Sequence, residues 1–216
     1  MRRTSRKNSE HRVRNTIFEY IRENAKIYLI LIIIFFIGLI LGILFVNNSN
    51  ETQSNQISSY INNFINSVKE NYQISTKELL SSSMINNVCI AILLWFLGST
   101  VIGVPLIYLV IGYKGYCIGY TISAVTATIG TGKAIIFIIS TMLFQNIIYI
   151  PTIITLAVSG IKLYRLIMED RRKENIKVQI IKHTIFSLLM LVILLCSSVV
   201  ETYMSGNLSQ ILLKYC

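Results

Sequence analysis

The sequence predicts an all-α, polytopic helical membrane protein, on three observations. Met84 to Gly160 is almost wholly apolar, with Lys114 and Lys133 as its only full charges. Ile27 to Val46 is a second run, twenty residues without a charge. Basic residues gather in two places, eight between Arg2 and Lys26 and seven between Lys162 and Lys182. One bilayer crossing takes about 20 apolar residues as helix, and lipid offers no partner to an open backbone, so such runs must cross as helices. About five transmembrane helices are expected, with the amino terminus cytoplasmic and one outer amphipathic helix.

Residues 1–26 form a basic cytoplasmic arm, whose Ile17, Phe18, Ile21 and Ala25 recur at helical spacing. Residues 27–46 are transmembrane helix 1. Gly38 and Gly42, four apart, could let another helix approach closely, and packing within the chain is favoured over dimerisation. The apolar core is too long for a secretory leader, and Asn47-Asn48-Ser49-Asn50-Glu51 lacks the small-residue cleavage pattern, so the segment is expected to remain as an anchor.

Residues 47–83 carry no basic excess, with Lys69 and Lys77 against Glu51, Glu70 and Glu78. This is the extracytoplasmic segment. Within it Ile57, Tyr60, Ile61, Phe64, Ile65 and Val68 recur at the spacing of one helical face. The stripe suits the protein's own membrane helices or the outer leaflet; as a sharper alternative, it is a docking face for a partner's extracytoplasmic domain.

Residues 84–160 hold transmembrane helices 2 to 4, divided at Gly103-Val104-Pro105 and at Gly130-Thr131-Gly132-Lys133 into Met84 to Ile102, Pro105 to Ile129 and Ala134 to Val158. Residues 161–183 are a cytoplasmic basic loop, 184–203 are transmembrane helix 5, and 204–216 are an extracytoplasmic tail. With Lys114 counted as inner or buried, sixteen of the twenty basic residues lie inside and four outside, as the positive-inside bias requires.

Composition excludes several functions. A net charge of +10 would suggest nucleic acid in a soluble protein, but these charges flank membrane spans and serve topology and contact with anionic membrane lipid. The four cysteines show no paired spacing and no metal-ligand grouping with His11 and His183. Gly130-Thr131-Gly132-Lys133 is no phosphate loop, because the first glycine position is Ala127 and Ala134 follows the lysine. No cofactor, metal site or catalytic set is expected.

Two polar features lie inside the apolar block. Lys114 stands in Gly112-Tyr113-Lys114-Gly115-Tyr116-Cys117-Ile118-Gly119. It is either buried at mid-bilayer, facing the bundle or water, or set at an inner turn of a helix broken around Gly112 and Gly115. Gln145 and Asn146, with Pro151 five residues beyond Asn146, suit interhelical hydrogen bonding at a kink. Lys114, Gly115, Gly119, Gln145, Asn146 and Pro151 are therefore the candidate intramembrane polar or kink residues.

The chain resembles the bacterial stage II sporulation protein M family. The likeness is strongest in Trp95-Phe96-Leu97-Gly98-Ser99-Thr100-Val101-Ile102-Gly103-Val104-Pro105, in Lys114-Gly115 with Gly119, in Phe144-Gln145-Asn146-Ile147-Ile148-Tyr149-Ile150-Pro151, and in the basic loop after Gly160. The resemblance implies a non-enzymatic scaffold in the mother-cell membrane, holding two peptidoglycan-degrading partners, stage II sporulation proteins D and P, at the sporulation septum for wall thinning and engulfment. The alternative function is a small transporter or channel subunit with a polar site around Lys114 and Gln145-Asn146. Oligomeric state is not legible in the sequence.

Overall fold

A computed structural model describes residues 19–69, 76–100, 102–169 and 176–215. The arm over 1–18, the Arg171-Arg172-Lys173 run and Cys216 fall outside the described residues, as do the side chains of Phe64, Ile65 and Val68. The described chain is helical throughout: α1 (Ala25–Asn47), α2 (Glu51–Lys69), α3 (Thr76–Gly98), α4 (Gly103–Ile129), α5 (Thr131–Ile138), a π turn (Ile139–Leu143), α6 (Phe144–Glu169) and α7 (Ile176–Tyr215).

Among the described residues, four helices are long and apolar enough to cross a membrane: Ala25–Asn47, Lys77–Gly98, Gln145–Met168 and Ile176–Tyr203. The fifth expected crossing, α4, has the length at 27 residues, but its glycines, tyrosines and Lys114 leave it less apolar than these four. Outward faces are apolar in turn, with Phe36, Ile40, Leu109, Ile147, Ile185, Leu188 and Val192 all exposed. Surface of that extent suits lipid rather than water. The buried core is built from Leu31 and Phe35 of α1, Leu94 of α3, Ile107 and Ile111 of α4, Ile153 and Leu156 of α6, and Leu194 of α7.

Helix directions follow from which residues meet. A methyl on Gly38 would lie 2.0 Å from the Gly112 carbonyl oxygen, one on Gly42 2.2 Å from that of Tyr116, and one on Gly115 2.1 Å from that of Phe35. From Gly38 to Gly42 the partner rises from Gly112 to Tyr116, and from Gly115 to Gly119 it rises from Phe35 to Leu39, so α1 and α4 run parallel in backbone contact. The Gly38/Gly42 pair thus packs within the chain. Without a hydrophobic force between helices in lipid, such close van der Waals fit is a main source of association. α3 runs antiparallel to α7, joined by Trp95 Nε1 to Thr184 Oγ1 at 3.1 Å and by Asn87 Nδ2 to Ser198 Oγ at 2.7 Å. α6 is likewise antiparallel to α7, with Ser159 against His183 at one end and Gln145 against Glu201 at the other.

The structure corrects several boundaries. The turn expected at Gly103-Val104-Pro105 precedes it, since Gly103 already opens α4, and hydrogen bonds from Ser99, Thr100 and Gly103 N–H groups to Phe96, Leu97 and Thr100 carbonyls tighten the chain there. The second break is confined to Gly130, at φ +82, the left-handed region where a side chain is strained. Beyond it helix resumes at once in α5, so Ala134 to Val158 is a part of a longer run through the π turn to Glu169. The expected tail after residue 203 continues α7 to Tyr215. α4 is unbroken around Gly112 and Gly115, which rules out the inner-turn placement of Lys114. Those glycines are there for the approach of α1, not for a break.

Candidate functional site

Because α4 is pinned to α1 along its glycine edge, its other faces are left for α2, α3, α5 and α6. Between α3, α4, α6 and α7 lies a polar cleft of about 440 Å³. Lys114, Cys117 and Thr121 line it from α4, Ser83, Asn86 and Asn87 from α3, Gln145, Asn146 and Tyr149 from α6, and Glu201 from α7. Lys114 to Thr121 spans about 10 Å of helix at 1.5 Å per residue, so the cleft is elongated along the bundle.

Its polar groups are unequally satisfied. Glu201 Oε2 accepts a hydrogen bond from Gln145 Nε2 at 2.6 Å and a second from Ser83 Oγ. Ser197 Oγ adds a bond to the Gln145 carbonyl at 3.4 Å, tying α7 to the start of α6. Asn87, only 2% exposed, donates to the Leu194 carbonyl at 3.1 Å as well as to Ser198. Tyr149, 6% exposed, has a buried hydroxyl with no hydrogen-bond partner. Lys114 is half-buried, and among the described residues no ion pair joins it to Glu201. The cleft therefore holds one cation and one anion apart, in surroundings where each is costly to leave unpaired.

Of the intramembrane residues expected from sequence, Lys114, Gln145 and Asn146 come together here. Gly115 and Gly119 do not line the cleft; each meets α1, a methyl on Gly119 falling 2.1 Å from the Leu39 carbonyl oxygen. Pro151 is exposed on α6, just beyond Tyr149 and outside the cleft lining. Glu201 is the residue that sequence reading missed. It lies near the end of the crossing expected over 184–203, but α7 continues past it, and a lone carboxylate between Val200 and Thr202 in an apolar helix is the signal. Among the described residues no group of three His, Cys, Asp or Glu could hold a metal ion.

The amphipathic helix α2 lies against α4 and α7, beside a groove of about 380 Å³ lined by Phe45, Gln53, Gln56, Ile57, Tyr60, Tyr120 and Ala124 among others. Ile57 and Ile61 are half-buried there, while Tyr60 is 76% exposed. Within the described part of the stripe, Ile57 and Ile61 cover the protein's own bundle, while Tyr60, at the edge of the groove, is largely exposed. At the opposite end of the bundle, Ser159 Oγ and His183 Nδ1 lie 2.8 Å apart, and the Lys162 ammonium sits 4.9 Å over the Tyr20 ring. Burial, then the neighbouring Tyr28, pushes the Tyr20 hydroxyl up to about 12, so it stays protonated.

A bundle of apolar-faced helices knitted by buried amides and serines is an integral membrane protein. The family model for stage II sporulation protein M matches residues 31–206, and the chain belongs to that family. The match takes in α2, the α1–α4 crossing and every residue named above as lining the cleft. No curated protein and no solved structure matches the chain.

Proposed function

We propose that this sporulation-related membrane protein is a non-enzymatic scaffold. In this reading it sits in the mother-cell membrane at the sporulation septum. There it anchors peptidoglycan-degrading proteins, stage II sporulation proteins D and P, for septal wall thinning and engulfment. The observation that carries the reading is the family match across 31–206. The described part of the α2 stripe supports it: Ile57 and Ile61 hold the helix to the bundle, and Tyr60 remains available to a partner outside it. Large aromatic side chains are the commonest anchors of such contacts.

Affinity purification from sporulating cells, with identification of co-purifying membrane proteins, is the direct test. Recovery of a wall hydrolase is expected, reduced in Tyr60→Asp and unchanged in Asn62→Asp. Failure to recover any hydrolase with the wild-type chain would set the scaffold reading aside.

A small transporter or channel subunit is the second reading, favoured by the cleft around Lys114, Gln145 and Asn146. Under it, Lys114→Met should insert normally yet fail to support sporulation. Full sporulation by that variant at normal protein level would count against it.

A further inference from the structure

Three polar groups on residues that line the cleft have no partner among the described residues. Both donors to Glu201, from Ser83 and Gln145, bond the same oxygen, Oε2, so Oε1 accepts no hydrogen bond from the described residues. The Tyr149 hydroxyl is buried and unpartnered. The Lys114 ammonium has no ion pair among the described residues, although Glu201 lines the same cavity. A buried donor or acceptor with no partner is destabilising, and such groups persist where something else completes them. Here all three belong to residues that line one volume large enough for a small ligand.

The charge of that volume narrows the ligand. One carboxylate and one ammonium cancel, so an occupant with a net charge would leave an unbalanced charge among apolar helices. A neutral occupant with an anionic end and a cationic end adds none, and it satisfies both open groups at once. We propose that the cleft binds a small zwitterion, its anionic group held by Lys114 and the Tyr149 hydroxyl and its primary ammonium by Glu201 Oε1. The amides of Asn86 and Asn146 are placed to bond its polar middle. The inference goes beyond the scaffold reading and does not depend on it. The same chemistry is carried by a short soluble peptide and by the phosphoethanolamine headgroup of a membrane lipid.

The test uses the full chain in nanodiscs of phosphatidylglycerol alone, and of phosphatidylglycerol with phosphatidylethanolamine. Dialanine is titrated by calorimetry in the first, beside its acetylated form, which lacks the ammonium, and its amide, which lacks the anion. Phosphatidylethanolamine retained by the protein is read by native mass spectrometry in the second. A soluble source predicts dialanine binding, weakened at least about tenfold by blocking either end, as loss of a charged hydrogen bond entails. A lipid source predicts retained phosphatidylethanolamine with dialanine silent.

In either case Glu201→Gln and Lys114→Met should lose binding while Lys114→Arg keeps it. Tyr149→Phe separates binding from folding, because its hydroxyl has no partner to lose: binding should weaken several-fold while the thermal midpoint of the empty protein holds or rises. The proposal is overturned if neither dialanine nor phosphatidylethanolamine is held, if blocked dipeptides bind as well as dialanine, or if Glu201→Gln and Tyr149→Phe bind like wild type.

Discussion

The parallel crossing of α1 and α4 makes the sharpest quantitative prediction. In Gly38→Ala, the added methyl would lie 2.0 Å from the Gly112 carbonyl oxygen and 3.1 Å from the Tyr116 nitrogen, both backbone atoms that cannot rotate away. Ordinary contact needs a carbon to stand 3.4 Å or more from such an atom, so the helices must separate by more than 1 Å locally. Overpacking in a well-filled interior typically costs about 1 to 3 kcal/mol where side chains can adjust, and here the upper end applies because backbone meets backbone. Gly132→Ala is the internal control: a methyl there meets nothing within 4 Å, and alanine in a helix is favoured over glycine by roughly 0.5 to 1 kcal/mol. Reversible unfolding of the purified chain in mixed micelles, as detergent is exchanged for denaturing detergent, should therefore show Gly38→Ala destabilised by about 3 kcal/mol and Gly132→Ala unchanged or slightly stabilised. If Gly38→Ala unfolds with the wild-type midpoint, the close crossing does not exist and the helix directions argued from it fall too.

Asn87→Ala removes the buried bonds to the Leu194 carbonyl and Ser198, and should cost about 1 to 2 kcal/mol in the same assay, given the modest worth of intramembrane hydrogen bonds. Ser198→Ala, which deletes one of the two partners, should cost less, and equality of the two would argue against the shared network. In a background without native cysteines, a cysteine at Gly132 is expected to react with a membrane-impermeant thiol reagent in intact cells, whereas one at Asn175 is not; labelling at 175 from outside would reverse the orientation. Ile61→Asp places a charge on the edge of α2 that lies on the bundle, and should expose the α1–α2 connection to limited proteolysis, while Asn62→Asp, on an exposed position, should not.

Residue type made the membrane class legible, because long uncharged runs have few alternatives. The break at Gly130 was readable for the same kind of reason, since its backbone takes a conformation that glycine alone adopts easily. Gly38 and Gly42 indicated a close approach, but nothing in their spacing names Gly112, Tyr116 and Phe35 as what they meet, which is a matter of tertiary packing. Lys114 with Gln145 and Asn146 announced a polar interior. Their opposite number, Glu201, was hidden by its position: a carboxylate late in an apolar helix looks like the end of a span when the polar residues after it, Ser205 and Asn207, read as loop. The inner-turn alternative for Lys114 failed because glycine has two uses, turning a chain and admitting a neighbour, and sequence alone does not separate them. Tyr60 shows the same limit in the outer helix, where a regular stripe does not say which of its edges is covered.

The π turn at Ile139–Leu143 makes the length of this stretch a mechanical variable. One residue in a helix corresponds to about 100° of rotation, and a π turn is an α-helix carrying one residue more than its turn can hold. Removing a single residue there would let the ladder close as ordinary α-helix and swing α5 by about that angle against α6. Met142 enters the cleft from the turn itself, so one edit would re-aim that side chain while leaving Gln145 and the buried face of α6 in place. The bundle therefore carries an adjustable joint at the rim of its polar interior, one that insertion or deletion can reset without rebuilding the core.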